Sequence, residues 1–247
     1  MAQLLSLSQK KLERVSMFKV GIVGCGAIYN RHLSAIKKNK NFKLAAVCDI
    51  NKEISINYGK IEKVSAYCSY EEMIKEAKIN FVSICTPNDI HYKQAKLALK
   101  NKINVLIEKP VAFNYQKILD LKEVSESNNV NCYCVLQVRL NNAVNVVKDA
   151  IKENLLGEIR GVSLVQRWQR PYEYFSGWRN IPTIGGGILY EVGIHYIDIM
   201  QYIFGVPKII DSKVYKTKHK NANIEDTVYS IIDYGSFGGS IEITVSA

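Results

Sequence analysis

Between residues 17 and 136 the sequence alternates short apolar runs with segments of helical spacing. The apolar runs cover 17–24, 42–48, 81–85, 104–107 and 131–136; residues 31–38, 70–77, 90–100 and 115–128 read as helices between them. A run that is apolar at every position, rather than at every second one, belongs to a strand buried on both faces, as in a parallel sheet. Strand–helix–strand repetition at this spacing implies right-handed crossovers and an α/β fold with a doubly wound parallel sheet. After about residue 138 the pattern changes. Helices are expected over 143–154 and 187–204, and strands over 158–168, 209–216, 227–234 and 239–245. Successive strands with few helices between them predict a second α+β domain with an open, mainly antiparallel sheet, one face of which looks toward solvent or a partner. The expected organisation is a leader over 1–16, a first domain with the parallel sheet over 17–137 and a second domain over 138–247.

Composition narrows the class further. With 247 residues, 47% of them hydrophobic, the chain has enough apolar mass for a packed core. No window approaches the ~18 consecutive apolar residues of a membrane span. The formal net charge of +10 comes from scattered lysines, the densest short cluster being Lys37, Lys38 and Lys40. No basic stripe interleaved with aromatics is present, so neither nucleic acid nor a membrane is an expected partner. The field favours anionic small molecules such as dinucleotides and nucleotide sugars. Six cysteines (25, 48, 68, 85, 132 and 134) form no CxxC pair and have no His-x-x-x-His nearby, so no metal site is expected. Residues 1–16 contain only the short apolar stretch Leu4-Leu5-Ser6-Leu7, which is not a secretory signal; a cytoplasmic protein with reduced thiols is expected.

The first strand runs into Gly24-Cys25-Gly26-Ala27-Ile28-Tyr29. A glycine at 24 permits a tight turn, and one at 26 lets backbone approach a pyrophosphate at the N-terminus of the following helix. The third glycine of such fingerprints, which allows close helix–strand packing, is replaced by Tyr29. Asp49 ends the second strand, 23 residues beyond Gly26. A carboxylate there accepts hydrogen bonds from both ribose hydroxyls and repels a 2′-phosphate, so NAD is expected over NADP. The alternative is a plain strand–helix turn with a surface aspartate. A further buried strand delivers Glu108-Lys109-Pro110 at its carboxyl end, where open α/β sheets bind ligands.

The stretches GCGAI at 24–28, TPNDIH at 86–91, EKP at 108–110 and GGGILYEVGIHYID at 185–198 together resemble the glucose–fructose oxidoreductase / inositol dehydrogenase / MocA family, over residues 18–247. The resemblance implies a Rossmann domain followed by an α+β domain whose open sheet mediates homo-oligomerisation, as a dimer or tetramer. It also implies a nicotinamide cofactor and redox chemistry on the carbinol of a sugar or cyclitol. The stretches LQVRLN at 136–141 and RPYEYF at 170–175, followed by Trp178-Arg179, are similar to the UDP-N-acetylglucosaminuronate 3-dehydrogenases of surface-polysaccharide synthesis. Members of the family run past 300 residues, so the second domain is expected to be shortened, its later strands and closing helix missing.

The resemblance implies cofactor contacts at Gly24, Gly26, Ala27, Ile28, Asp49, Thr86, Pro87, Asn88, His91, Glu108, Lys109 and Gln137. His91 is expected to support the nicotinamide pocket rather than to move a proton. Substrate contacts are implied at Lys109, Arg139, Asn141, Tyr174, Arg179 and His195. Oxidising a secondary alcohol requires removal of its hydroxyl proton as hydride leaves carbon. Histidine, with a reference pKa of ~6.5, suits that task, which falls to His195. Lys109 is expected to hydrogen-bond the same oxygen and stabilise developing negative charge, and Glu191, at i,i+4 from His195, to orient it or relay its proton. Glycines 185–187 are expected to leave room for cofactor or substrate. Arg139, Arg167, Arg170 and Arg179 are candidates to meet a uronate carboxylate or a diphosphate, Arg139 and Arg179 foremost because both lie beside the motifs; the alternative, and for any single one the more ordinary reading, is a surface ion pair. Tyr172, Tyr174, Phe175 and Trp178 either stack on a uracil or sugar face or pack their loop onto the domain. The expected substrate is a sugar, foremost a UDP-linked N-acetylhexosaminuronate oxidised at C3. The alternatives are a dehydrogenase of inositol or a free sugar, and a non-catalytic NAD-binding subunit.

Overall fold

The structure, a computed structural model, describes residues 17–247; the leader expected over residues 1–16 lies outside them. The chain divides into two compact units after Val135.

The first unit runs β1 (Phe18–Val23), α1 (Tyr29–Lys38), β2 (Phe42–Cys48), α2 (Lys52–Glu62), β3 (Ser65–Tyr67), α3 (Tyr70–Glu76), β4 (Phe81–Ile84), α4 (His91–Lys100), β5 (Asn104–Ile107), α5 (Tyr115–Ser127) and β6 (Cys132–Cys134). Its sheet has the order β3-β2-β1-β4-β5-β6, and every pairing is parallel. The winding reverses between β1 and β4, which opens a crevice at the carboxyl ends of those strands. The continuous apolar runs follow from burial on both faces. Val20 and Ile22 of β1 pack with Leu33 and Ile36 of α1, while Val23, Val82 and Val105 join Met73, Ala95 and Leu99 on the other side.

Two elements, α2 and β3, are not foreseen by the apolar pattern. α2 buries only Ser55 and Gly59 and leaves Ile54, Ile56 and Ile61 exposed, so it has no apolar stripe to read. Its start was signalled instead by Asn51, whose side chain accepts the N–H groups of Glu53 and Ile54.

The second unit contains α6 (Asn142–Lys152), β7 (Gly161–Arg167), the single turn α7 (Pro182–Gly185), α8 (Ile194–Phe204), β8 (Lys208–Tyr215), β9 (Thr227–Asp233) and β10 (Gly238–Thr244). The sheet order is β7-β10-β9-β8. It is mixed: β10 runs parallel to β7, whereas β9 runs antiparallel to both β10 and β8. Strand alternation sends Val228, Ile232, Ile241 and Ile243 into a core with Ile188, Val192 and Met200. Val165, Tyr229, Ile231 and Val214 remain exposed, so the sheet has one covered and one open face. The helix expected over 187–204 is not regular throughout. Gly186 and Gly187 have φ of 80° and 88°, which no continuing α-helix adopts. The helical path restarts as a π turn over Leu189–Gly193 and becomes α-helical only at Ile194.

Candidate active site

The glycine turn and Asp49 form one hydrogen-bonded piece at the crevice of the first unit. Gly24 has φ of 89°, and a Cβ there would lie 2.7 Å from the Cys85 carbonyl at the end of β4, so only glycine fits. A Cβ on Gly26 would meet nothing within 4 Å, which leaves exposed backbone where a pyrophosphate would lie. Asp49 Oδ2 accepts the Cys25 N–H at 2.8 Å, and its Oδ1 accepts the Asn51 N–H at 2.9 Å. Each carboxylate oxygen has a second lone-pair direction for a ribose hydroxyl. The residues present therefore fit a dinucleotide. Ala27 and Ile28 lie in the turn into α1. Tyr29 does not face the pyrophosphate turn: it is fully buried, its ring centroid 4.2 Å from that of Tyr58 in α2. It fills the space a third glycine would leave open. Burial first, and Asp49 second, push the Cys25 thiol up to about 12, so it is no nucleophile at neutral pH.

Thr86, Pro87 and Asn88 follow β4. Thr86 Oγ1 donates to Gln94 Oε1 at 2.6 Å, and Asn88 is buried. His91 is wholly buried, with Nδ1 2.8 Å from the Pro110 carbonyl and Nε2 2.8 Å from the Thr86 carbonyl. Burial lowers its pKa against the pull of those carbonyls, so the ring is neutral near pH 7 and donates to one carbonyl at a time. It braces the 86 and 110 loops.

Glu108 and Lys109 emerge from the carboxyl end of β5. Glu108 Oε1 lies 2.9 Å from His32 Nε2, and its Oε2 accepts the Lys109 N–H at 3.3 Å. His32 Nδ1 lies 2.7 Å from Ser83 Oγ on β4. Burial works against the Glu108 carboxylate, but the hydrogen bond and charge of His32, with help from Lys109, outweigh it and hold its carboxyl below the ordinary range. His32 is not among the residues expected from sequence; its only signal is a polar ring on the apolar face of α1, beside Leu33 and Ile36.

In the second unit several expectations change. Arg139 is bidentate on Asp198 of α8, with Nε 2.7 Å from Oδ2 and Nη2 on Oδ1, and its guanidinium lies 5.0 Å from the Tyr202 ring centroid. Its guanidinium is engaged by a carboxylate of its own unit, the ion pair that was the alternative to a uronate contact. Asn141 caps α6 by accepting the Ala143 N–H at 2.9 Å, so it is a helix cap first. Gln137 is exposed at the start of the unit. The space beside the glycines is taken by protein: a Cβ on Gly185 would lie 2.5 Å from the Arg179 carbonyl, and one on Gly187 would lie 2.3 Å from the Glu225 carboxylate. These glycines serve close packing rather than ligand approach. Glu225 Oε1 accepts the Ile188 N–H at 3.0 Å and so ties down the segment that leads into the π turn.

Glu191 and Gly193 lie in that turn and His195 follows it, half-buried. The Glu191 carboxylate is buried and accepts from Arg179 Nε at 3.2 Å. Arg179 also stacks over Trp178 and Tyr174, at 4.6 and 5.3 Å from their ring centroids, and Arg170 lies 5.1 Å from the Tyr174 ring. Phe175 is core, and Tyr172 is exposed with its hydroxyl on the Lys218 carbonyl. The aromatic segment thus both packs the loop and presents a cationic, ring-lined surface. Arg167 pairs with Glu242 across the sheet.

Comparison with known proteins fits this geometry. Residues 18–136 match the oxidoreductase family with the NAD-binding Rossmann fold, and residues 144–247 match the GFO/IDH/MocA C-terminal domain. The chain belongs to the GFO/IDH/MocA oxidoreductase family, and its first unit is that family's NAD-binding Rossmann domain. It is similar to glucose-6-phosphate 3-dehydrogenase of Bacillus subtilis strain 168, at 27% identity over 92% of this chain and 65% of that protein. It is also similar to scyllo-inositol 2-dehydrogenase (NADP(+)) IolW of the same organism, at 26% identity over 94% of this chain and 65% of the relative. The chain thus spans somewhat less than two thirds of each relative. Among solved structures, the WlbA dehydrogenase of Bordetella pertussis in complex with NADH and UDP-GlcNAcA superposes with a TM-score of 0.88 at 25% identity, covering 93% of this chain and 73% of that one. Among the described residues no helix is long and apolar enough to cross a membrane, and no cluster of His, Cys, Asp or Glu could hold a metal ion.

Proposed function

We propose that this protein is an NAD-dependent dehydrogenase that oxidises a secondary alcohol of a sugar, with C3 of a UDP-linked N-acetylhexosaminuronate as the foremost substrate. The observation that carries the reading is the pairing of two features at one sheet edge. The glycine turn, clasped by Asp49, lies at the end of β1, and Lys109 follows the end of β5, two places along the same sheet with β4 between them. When bound, NAD takes up the hydride at C4 of its nicotinamide. His195 takes the hydroxyl proton, Lys109 donates a hydrogen bond to the same oxygen, and the carbinol becomes a carbonyl. Glu191 holds Arg179, whose guanidinium and the rings of Tyr174 and Trp178 suit a carboxylated or diphosphate-bearing sugar. The likeness to a dehydrogenase in complex with NADH and UDP-GlcNAcA supports that substrate class. The second reading, an inositol or sugar phosphate, is favoured by the names of the curated relatives. The open face of the second sheet is proposed to pair with another copy of the chain.

The direct test is NADH formation at 340 nm with NAD and a panel of UDP-N-acetylhexosaminuronates, free sugars, sugar phosphates and inositols. A keto-sugar acceptor is added so that retained NADH can be reoxidised. Oxidation of the UDP-uronate at least tenfold faster than the others is expected; no substrate-dependent turnover across the panel overturns the reading. Asp49 gives an independent check. Asp49→Asn keeps an acceptor for the Cys25 N–H but removes the charge that repels a 2′-phosphate. The ratio of NADP to NAD affinity should rise about tenfold, on the order of 1.4 kcal/mol. Equal changes for the two cofactors would remove Asp49 from ribose recognition.

A further inference from the structure

We propose that His32 is a positioning residue for the Glu108-Lys109 pair, tying the phosphate-binding helix to the residue that acts on substrate. The inference rests on the dehydrogenase reading above for its kinetic consequence, but not for its geometry. His32 lies in the first turn of α1, directly after the glycine turn, on the buried face of the helix. Its ring reaches over β4 to the end of β5, meeting Ser83 Oγ at 2.7 Å and Glu108 Oε1 at 2.9 Å. The sheet order places β4 between β1 and β5, so this one side chain connects the glycine turn to two successive strand ends.

The chemistry of the partners fixes one proton position. An ionised Glu108 can only accept, so His32 Nε2 carries the proton and donates to it. Nδ1 faces the Ser83 hydroxyl, which can donate to it or accept from it. The other Glu108 oxygen takes the backbone N–H of Lys109. Both carboxylate oxygens are thereby held, one from α1 and one from the next residue, and the Glu108 carboxylate cannot rotate without breaking a bond. The backbone of Lys109, which aims its ammonium group, is fixed by the same carboxylate. With His32, Ser83 and most of Glu108 removed from water, these bonds are not traded for solvent ones.

Two substitutions separate the two ring contacts, because glutamine places an amide near Nε2 and asparagine near Nδ1. His32→Gln keeps a donor for Glu108 and should retain turnover to within about fivefold. His32→Asn keeps only the Ser83 contact and should lower kcat by 20- to 100-fold with little change in KM. Combined with Glu108→Gln it should be no slower than the slower single variant, since both act on the same contact, the first by removing the donor and the second by taking the charge from the acceptor. A second readout needs no turnover: in 15N spectra of the full protein, the His32 ring should carry its proton on Nε2, and that tautomer preference should be lost in Glu108→Gln. The chain has only four histidines to assign. Equal kcat for the Gln and Asn variants, additive losses in the double variant, or a His32 tautomer indifferent to Glu108→Gln would overturn the proposal. If the wild-type protein oxidises no sugar, the dehydrogenase reading fails and the ring-nitrogen result alone decides the role of His32.

Discussion

Replacing Lys109 by methionine should lower kcat/KM about a thousandfold while NAD affinity changes by less than about threefold. The size follows from the role proposed for the ammonium group. As hydride leaves carbon and the hydroxyl loses its proton, negative charge grows on the carbinol oxygen, and one fixed donor aimed at such an oxygen contributes ~3–4 kcal/mol to the transition state. Methionine keeps the length and apolar stem of the side chain but removes the donor. In the proposed reading ground-state cofactor binding rests chiefly on other groups, the glycine turn and Asp49, which follow β1 and β2. Arginine should not restore activity, because its fork places the donors differently from a point ammonium. His195→Asn should cost a comparable factor near pH 7, and the double variant should fall far short of the product of the two losses, as expected of groups that act in one step. The measurement is initial-rate NADH formation alongside a fluorescence titration of NAD. A Lys109→Met protein that retains turnover within tenfold of wild type would take the lysine out of the reaction.

Much of the first unit was legible because burial leaves a strong mark on sequence. A central parallel strand must be apolar on both faces, so Gly21-Ile22-Val23, Phe81-Val82 and Asn104 to Ile107 are recognisable without neighbours. The turn at Gly24 was legible for a different reason: its φ of 89° and the 2.7 Å approach to Cys85 admit no side chain. α2 and β3 were not legible, because they cover an edge where little is buried. At the site, residue type pointed to Asp49, Glu108 and Lys109, but pairing could not be read from type. Arg139 and Arg179 look alike in sequence. The fold supplies each with a different carboxylate, Asp198 for the first and Glu191 for the second, and a different aromatic setting, the Tyr202 ring for the first and the rings of Tyr174 and Trp178 for the second. Glycines 185–187 carried the opposite trap, since their small size reads as room for a ligand while the space is filled by the Arg179 backbone and by Glu225. His32 stayed hidden because a single histidine on an apolar helix face has no partner until strands β4 and β5 are laid side by side.

The largest loss of stability is expected from Asp226→Asn. Asp226 is wholly buried ahead of β9 and accepts the backbone N–H groups of Thr217, Lys218 and His219 at 2.8, 3.0 and 2.8 Å, together with the Thr217 and Thr227 hydroxyls. The His219 ring lies beside it, Nδ1 at 3.3 Å, with its Nε2 3.0 Å from the Arg170 carbonyl. Burial alone would raise the carboxyl pKa, but the N–H groups of Thr217 and His219 outweigh it and hold it far below the usual carboxylate range. An asparagine turns one acceptor oxygen into an NH2 facing those N–H groups, which leaves buried donors unsatisfied, at a cost of ~3–5 kcal/mol. For a unit of this size that corresponds to a thermal midpoint lower by roughly 10 °C or more. The pH dependence has a fixed sign. Because the folded pKa is depressed, the charge stabilises fully above the unfolded value of ~3.9 and loses effect as pH falls below it toward the folded pKa. The gap between wild type and Asp226→Asn should be constant from pH 6 to 8 and shrink by about 1 kcal/mol for each pH unit below 4. The consequence reaches the candidate site within the same unit. Glu225, the neighbour of Asp226, holds the Ile188 N–H ahead of the π turn that carries Glu191, so loosening Asp226 should loosen the approach to His195. Thermal melts of both proteins at pH 7 and pH 3 decide the matter: midpoints within 2 °C at neutral pH, or a gap that fails to narrow in acid, would show that the buried carboxylate is not what fastens this loop.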